Sequence, residues 1–144
     1  MGKPRLAIAL GSGSARGWSH IGVLRALQQA GIVPDIVCGT SIGAFVGAAY
    51  ASGSLDPLES WVRGLTRRDV FGFFDVSLGA GGLIKGEKLL GYTSHLFLDE
   101  TFADLDKPFA CVATDLASGR EVWLREGRIL DAVRSSVALP GLLA

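Results

Sequence analysis

The sequence predicts an α/β fold in which a mainly parallel sheet is wrapped by helices. Short apolar runs of strand length alternate with longer segments of helical periodicity, and the connections between them are short. Strand and helix alternate twice in the N-terminal part of the chain, which is the pattern of parallel strands joined by right-handed crossovers. The 144 residues are enough for one domain.

The N-terminal part of the chain contains two predicted strand–helix units. Residues 6–10 form a continuous apolar run that ends at a glycine, which is typical of a strand buried on both faces. The helix that follows has apolar residues at helical spacing and is expected to end at Gly31, the usual C′ residue. Residues 36–38 predict a second buried strand, and a helix rich in small residues begins at Ile42. This second helix is expected to be packed on nearly every side.

A third, amphipathic helix is predicted to begin with Asp56 as its cap and Pro57 at its first position. It is expected to end at residues 67–69, where basic side chains suit a helix C-terminus. The next stretch, 71–83, combines aromatic residues with a glycine cluster and has no clear period. It is therefore interpreted either as a mobile lid or as irregular coil.

The C-terminal part of the chain is expected to add two strands and two helices. A helix is predicted at 86–98 and a third buried strand at 109–113. Ser118 and Gly119 have the chemistry of a turn that leads into another strand. The last predicted helix covers 129–137.

Composition excludes several functional classes. The 14 basic and 14 acidic residues cancel, which leaves no electrostatic basis for nucleic-acid binding. The N-terminal apolar stretch is shorter than the core of a signal peptide, and no apolar run in the sequence approaches the length of a membrane span. Cys38 and Cys111 lie in apolar runs typical of buried free thiols, which favours a reducing, cytoplasmic location. No His, Cys and carboxylate set has the spacing of metal ligands, so neither a metal nor a cofactor is expected.

Residues 39–43, Gly-Thr-Ser-Ile-Gly, fit the pattern G-x-S-x-G between a predicted strand and a predicted helix. Gly39 and Gly43 lack the Cβ atoms that would clash as such a turn closes. Ser41 would then have a strained backbone at the N-terminal end of a helix, where an oxyanion is stabilised. We interpret Ser41 as a nucleophile, and a merely structural serine in a strand-to-helix turn is the alternative.

A second loop, Gly-Ser-Gly-Ser-Ala-Arg-Gly, follows the first strand. Its first four residues, Gly11, Ser12, Gly13 and Ser14, are expected to direct backbone N–H groups into one place, which suits a phosphate or an oxyanion. Arg16 adds a positive charge that either holds the loop through a salt bridge or contacts an anionic group. Adjacent parallel strands would bring this loop beside the serine turn, an arrangement suited to acyl transfer.

Two functions other than acyl transfer are alternatives. A non-catalytic module would hold an anion or a lipid with the glycine loop, and Ser41 would only shape its turn. A dinucleotide-binding domain is disfavoured because a G-x-G-x-x-G fingerprint that starts at Gly11 has Arg16 in its sixth position.

The chain resembles the patatin-like phospholipase family of bacterial type in "GSGSARGWSHIGVLRAL" and "VCGTSIGAFVGAAYASG", and further in "KPFACVATDLASGREV" and "SSVALPGLLA". The resemblance implies a three-layer patatin-like fold with the nucleophile elbow after the second strand. It implies hydrolysis of lipid esters by a Ser-Asp dyad through an acyl-enzyme, a lipid or other ester as substrate, peripheral membrane contact and no cofactor. By resemblance Ser41 is the nucleophile and the loop from Gly11 to Ser14 is the oxyanion hole. Ser12 and Ser14 stand where many members have glycine, which restricts the backbone of the hole.

The aspartate of the dyad lies in a D-G-[GA] motif in this family, and no such motif occurs in the sequence. In the family the motif follows the segment that matches 138–144. The resemblance therefore implies that residues 1–144 are the N-terminal portion of a patatin-like domain whose C-terminal part is missing. We expect this chain alone to be nearly inactive. Its apolar end is expected to leave an unpaired sheet edge that invites dimerisation.

A Ser-His-Asp triad is the alternative to the dyad. It would need an acid and a histidine after Ser41, for which Asp69 or Asp75 with His95 is formally suitable. The serine turn, however, follows only one strand–helix unit, which is too early for an α/β-hydrolase.

Three further features are secondary candidates. His20 is expected to cap or pack rather than to catalyse. Asp115, at the end of the third strand, is a second candidate acid, although the resemblance makes it a structural or pocket-lining residue. Phe71, Phe73 and Phe74 are candidates for contact with an acyl chain.

Overall fold

The computed structural model describes residues 4–66, 69, 91–92, 94–97 and 99–138. The strands within these ranges are β1 (Ala7–Leu10), β2 (Ile36–Thr40), β3 (Phe109–Thr114) and β4 (Glu121–Leu124). We label the helices α1 (Ser19–Gln29), α2 (Ile42–Ala51), α3 (Leu55–Arg63) and α4 (Ile129–Val137). Short 3₁₀ helices lie at Ser14–Trp18 and Phe102–Asp104.

The four described strands form one sheet in the order β1-β2-β3-β4. β1 and β2 are parallel, with Leu10 opposite Gly39, and β2 and β3 are parallel, with Thr40 opposite Val112. β4 is antiparallel to β3. The C-terminal ends of the three parallel strands therefore lie at one edge of the sheet, where the loops after β1 and β2 are neighbours. The predicted α/β class with a mainly parallel sheet is confirmed.

The central position predicted for α2 is also confirmed. All 10 residues of this helix are buried, and it contacts all three parallel strands as well as α4. Gly47 allows this close approach, because a Cβ atom there would lie 3.0 Å from the Phe109 ring and 3.1 Å from the Val37 side chain. The small residues of α2 thus let the helix lie almost against the sheet.

Gly31 ends α1 as the sequence predicts. Its φ of 71° lies in the left-handed region that favours glycine. The Gly31 N–H donates to the Gln28 carbonyl oxygen at 3.0 Å, and the Ile32 N–H donates to the Leu27 carbonyl oxygen at 2.9 Å. These are the two hydrogen bonds of a Schellman motif, which satisfy the last carbonyl groups of the helix.

The prediction that β1 is buried on both faces is wrong. Ala7 and Ala9 are exposed, whereas Leu10 is buried. Burial alternates along β2 and β3 as well, with Val37 and Cys111 buried and their neighbours only partly covered. The alternation arises because α2 and α4, which contact each other and β3, lie against one face of the described sheet. The other face of β1 carries small apolar side chains. In the sequence they give the same continuous apolar run as a strand that is buried on both faces.

The predicted bounds of α3 need correction at both ends. Ser54, not Asp56, occupies the N-cap position. The Asp56 carboxylate instead accepts a hydrogen bond from the Arg25 guanidinium group, so it joins α3 to α1. The helix ends at Arg63, where a glycine follows, rather than at 67–69.

The last elements within the described residues lie where the sequence predicts them. β3 and β4 are joined by a turn, in which the Asp115 carboxylate accepts hydrogen bonds from the N–H groups of Ala117 and Ser118 and from the Ser118 hydroxyl group. Gly119 has a φ of 70°, which agrees with its predicted place in the turn. α4 has the predicted bounds.

Some predictions concern residues outside the described ranges. These include the lid at 71–83 with its three phenylalanines and the apolar end at 139–144. Of the helix predicted at 86–98, residues 91–92 and 94–96 are described and helical. The lid, the unpaired edge and the dimer expected from that edge stay predictions.

Candidate active site

Ser41 lies at the junction of β2 and α2 with an unusual backbone conformation. Its φ of 56° and ψ of −122° are rare for a residue that has a side chain. Ser41 is the N-cap of α2, and its carbonyl oxygen accepts the Phe45 N–H at 3.1 Å. The structure therefore contains the strand, the strained turn and the helix expected around this serine. The Ser41 side chain lies at the N-terminal end of a buried helix.

The two glycines of the serine turn have no room for a side chain. A Cβ atom on Gly39 would lie 2.3 Å from the carbonyl oxygen of Gly43. A Cβ atom on Gly43 would lie 2.1 Å from the Leu10 carbonyl oxygen and 2.5 Å from the Gly11 carbonyl oxygen. Each of these neighbours is backbone and cannot move away as a flexible side chain could. The turn therefore closes only with glycine at both positions, and Gly43 brings it against the loop after β1.

The loop after β1 is held by a histidine. The His20 Nε2 atom lies 2.8 Å from the Gly11 carbonyl oxygen, and because a carbonyl oxygen only accepts, Nε2 donates the proton. This contact agrees with the expectation that His20 caps or packs. The Gly11–Ser12 peptide is trans, so the Ser12 N–H points away from His20 and Gly43.

The backbone N–H groups of the next three residues have no acceptor among the described residues. In the described part of the chain, no acceptor is found for the N–H groups of Ser12, Gly13 and Ser14. Ser14 has a φ of 49°, so this serine adopts a conformation that glycine would favour. The Arg16 N–H donates to the Gly13 carbonyl oxygen at 2.9 Å and closes the 3₁₀ turn. The loop thus presents several donors that an anion could accept.

The C-terminal end of this loop is anchored on α2. A Cβ atom on Gly17 would lie 2.6 Å from the Ile42 side chain, so Gly17 allows close contact with the helix. Trp18 is buried, and its ring packs edge-on against Phe45 at a centroid distance of 5.8 Å. Arg16 is exposed and forms no ion pair with the other described residues, so the salt bridge, one of the two alternatives for Arg16, is not found among them.

Ser136 is a residue of the site that sequence reasoning missed. Its hydroxyl oxygen lies 2.9 Å from the Ser41 nitrogen and 2.6 Å from the Val112 carbonyl oxygen. Ser136 therefore accepts the Ser41 N–H and donates its own proton to Val112. The only signal in the sequence was its position in the segment "SSVALPGLLA", which gives no indication of a contact across 95 residues.

The alternative acids and bases do not contact Ser41 in the described residues. The Asp115 carboxylate is bound to its own turn, and the hydrogen bonds from the Ser118 N–H and hydroxyl groups lower its pKa. His95 is exposed. Asp69 accepts hydrogen bonds from the Thr66 N–H and hydroxyl groups, and Asp75 lies outside the described residues. Among the described residues, Ser41 therefore does not form a Ser-His-Asp triad with Asp69 and His95.

Three further observations on the described residues concern metal binding, membrane spans and cysteines. No group of three or more His, Cys, Asp or Glu side chains within them could hold a metal ion. None of their helices has the length and apolar character needed to cross a bilayer. Cys38 and Cys111 are free thiols, and burial raises the pKa of Cys111 to about 12. The cytoplasmic location inferred from these thiols stays a prediction.

Comparison with known proteins identifies the family. The model of the family described as patatin-like phospholipase matches residues 8–144. An NTE family protein of Mycobacterium tuberculosis is 40% identical over 141 residues, which cover 98% of this chain and 39% of that protein. Patatin-like phospholipase domain-containing protein 6 of Homo sapiens is 34% identical over 143 residues, which cover 96% of this chain and 10% of that protein. The chain thus spans about two fifths of the mycobacterial relative and a tenth of the human one. It belongs to the patatin-like phospholipase family.

Proposed function

We propose that Ser41 is the nucleophile of a lipid-ester hydrolase that works through an acyl-enzyme. The main support is the backbone of Ser41, whose φ of 56° sets its side chain at the N-terminal end of the buried helix α2. A structural serine would not need this strained conformation or two glycines in contact with backbone atoms. Membership of the patatin-like phospholipase family supports lipid esters as the substrate class.

In the proposed reaction, the Ser41 hydroxyl oxygen attacks the ester carbonyl carbon and the carbonyl oxygen becomes an oxyanion. The N–H groups of Ser12, Gly13 and Ser14, which have no acceptor among the described residues, are suited to stabilise this charge, and the N-terminal end of α2 adds a favourable dipole. The alcohol leaves with a proton, and water then hydrolyses the acyl-serine ester.

The proton of Ser41 would be taken by the aspartate of a Ser-Asp dyad, as the resemblance implies. The D-G-[GA] motif that contains this aspartate is absent from the 144 residues. We therefore expect the chain alone to hydrolyse esters about 10⁴-fold more slowly than a protein that contains the motif, because removing one member of a catalytic unit has effects of this order.

We also propose that the edge of the sheet next to Ser41 contacts a lipid surface. The turn between β3 and β4 lies at this edge, and Leu116 on that turn is 78% exposed. An exposed leucine beside a site for lipid esters is suited to insert into the surface of a lipid bilayer. Leu116→Ser should weaken binding to phosphatidylcholine vesicles about threefold or more, whereas unchanged binding would contradict the contact.

The nucleophile is tested with a fluorophosphonate probe on the protein expressed from its whole reading frame. We expect covalent labelling that is lost in Ser41→Ala. Ser52→Ala is the matched control, because Ser52 caps the other end of α2 and its hydroxyl group, among the described residues, donates only to the Ala49 carbonyl oxygen. Absence of labelling in the folded wild-type protein, or labelling that survives Ser41→Ala, would overturn the assignment.

A non-catalytic module is the second candidate, and the unpaired N–H groups of the loop after β1 favour it as much as they favour an oxyanion hole. Such a module would bind a phosphate-bearing lipid head group, and this binding would survive Ser41→Ala. Binding without covalent labelling would support this candidate, and labelling at Ser41 would exclude it.

A further inference from the structure

We infer that Ser136 is a positioning residue for the reaction at Ser41, an inference that rests on the proposed function. The Ser136 hydroxyl group accepts the Ser41 N–H at 2.9 Å and donates to the Val112 carbonyl oxygen at 2.6 Å. Ser136 lies next to the last residue of α4, and Val112 lies in β3. A single side chain thus joins the serine turn to a neighbouring strand and to a helix distant in sequence.

The register of β2 and β3 explains the position of this hydroxyl group. The Val37 N–H of β2 donates at 3.0 Å to the carbonyl oxygen of Pro108, the residue before β3. In a parallel ladder this relation recurs every two residues. Four residues further along both strands, the donor is the Ser41 N–H and the acceptor is the Val112 carbonyl. These are the two groups that Ser136 joins, so its hydroxyl group is inserted into what would be the next rung of the ladder.

This insertion separates the two strands where β2 turns into α2. The Ser41 N–H and the Val112 carbonyl are satisfied without direct contact, so the chain can leave the ladder with the positive φ of Ser41. Without the Ser136 oxygen, these groups would either close on each other or lose their partners in a partly buried place. Both changes move the backbone that presents the Ser41 hydroxyl group. A shift of about 1 Å at a reacting atom is enough to reduce a rate by about 100-fold.

The same helix offers a matched control for this role. Ser135 is the neighbour of Ser136 in α4, but its hydroxyl group is exposed and donates at 2.8 Å to the Asp131 carbonyl oxygen one turn earlier. Ser135→Ala therefore removes a hydroxyl group from the same helix without touching the serine turn. Ser136→Thr keeps the hydroxyl group, and Ser136→Cys keeps the size but is a poor hydrogen-bond acceptor.

The experiment measures fluorophosphonate labelling of the protein from its whole reading frame at a series of probe concentrations. We expect Ser136→Ala to lower the maximal labelling rate about 10- to 100-fold and to leave the half-saturating probe concentration unchanged. Ser136→Thr should restore the rate to within about threefold, and Ser135→Ala should behave as wild type. If the alanine variant does not fold, Ser136→Cys takes its place with the same expected loss.

Several results would overturn the inference. One is that folded Ser136→Ala or Ser136→Cys is labelled at the wild-type rate. This result, even with a lower thermal unfolding midpoint, is the pattern of a merely structural serine. Another is that Ser136→Thr or Ser135→Ala lowers the maximal labelling rate as much as Ser136→Ala does. Failure of the proposed function looks different, because then the wild-type protein itself is not labelled at Ser41.

Discussion

The serine turn and the loop after β1 are both rich in glycine, but their glycines have different surroundings. In the serine turn, a Cβ atom on Gly39 or Gly43 would lie 2.3 or 2.1 Å from a backbone oxygen. In the loop after β1, a Cβ atom on Gly11 would have no atom of the described residues within 4 Å, and one on Gly13 would be 3.1 Å from its nearest described neighbour. The first region is shaped by close packing, whereas the second is exposed and shaped by hydrogen bonds.

Because of this difference, we expect substitutions in the serine turn to change mainly the stability of the protein, and substitutions in the loop after β1 to change mainly its chemistry. A substitution in the serine turn must move backbone that belongs to the core, so it affects folding first. A substitution at Gly11, where the loop after β1 begins, meets none of the described atoms within 4 Å, so it affects the direction of N–H groups and leaves the fold intact. The same glycine-to-alanine change is therefore expected to have opposite consequences in the two places.

The largest effect is expected from Gly43→Ala. The added methyl group would overlap the Leu10 and Gly11 carbonyl oxygens and force β1 and α2 apart. We expect the free energy of unfolding to fall by about 3 kcal/mol or more, as measured by urea denaturation. Gly22→Ala is the control, because a Cβ atom at this position of α1 would meet no atom within 4 Å in the part of the chain that the structure describes. It should be neutral or stabilise by up to about 1 kcal/mol, and equal losses in both variants would break the comparison.

The next effect concerns the thiol under the serine turn. Cys111 lies opposite Gly39 in the sheet, and burial raises its pKa to about 12. Its thiol should therefore stay neutral as the pH rises from 7 to 10, whereas an unfolded cysteine ionises at about pH 8.5. We expect iodoacetamide to modify Cys111 in the native protein at least about 100-fold more slowly than in urea. Rapid native modification that increases with pH would show that this region is not closely packed.

A smaller effect is expected when the loop after β1 loses its hydrogen bond to His20. His20→Ala removes the donor to the Gly11 carbonyl oxygen and frees the Gly11–Ser12 peptide to rotate. Stability should fall by only about 1 kcal/mol, whereas the rate of ester hydrolysis should fall about tenfold. His95→Ala is the control, because His95 is exposed. A loss of stability without a loss of rate would contradict the role given to this contact.

The smallest effect on stability is expected from Gly11→Ala. Its methyl group would project into open space, so the free energy of unfolding should change by less than about 1 kcal/mol in urea denaturation. A loss as large as that of Gly43→Ala would remove the distinction between the two regions.

The sequence predicted the parts of the fold that are marked by a short sequence pattern. The end of α1 follows from Gly31, which supplies the left-handed residue of its capping motif. The serine turn follows from two glycines four positions apart, because both clashes that they avoid involve the turn itself or the adjacent strand. Both features carry a short signature in the sequence, so a pattern is sufficient to predict them, even though Gly43 also lies against the distant residues Leu10 and Gly11.

The errors concern contacts between distant segments. Asp56 was predicted to cap α3, but its carboxylate is paired with Arg25, which lies 31 positions earlier in α1. The exposed face of β1 was predicted to be buried, because Ala7 and Ala9 do not reveal on which side the helices lie. Ser136 was missed because its role depends on the register of two strands and the end of a third element.

The most direct test of the account is the position of the acyl group during turnover. The protein from its whole reading frame is mixed with a long-chain p-nitrophenyl ester and quenched in acid within the first turnover. The tryptic peptide 26–63, which contains Ser41, is then examined by mass spectrometry. We predict that the peptide gains the mass of the acyl group on Ser41, and that Ser41→Ala abolishes both the adduct and the release of p-nitrophenol. Turnover without an adduct, or an adduct on Cys38 of the same peptide, would contradict the account.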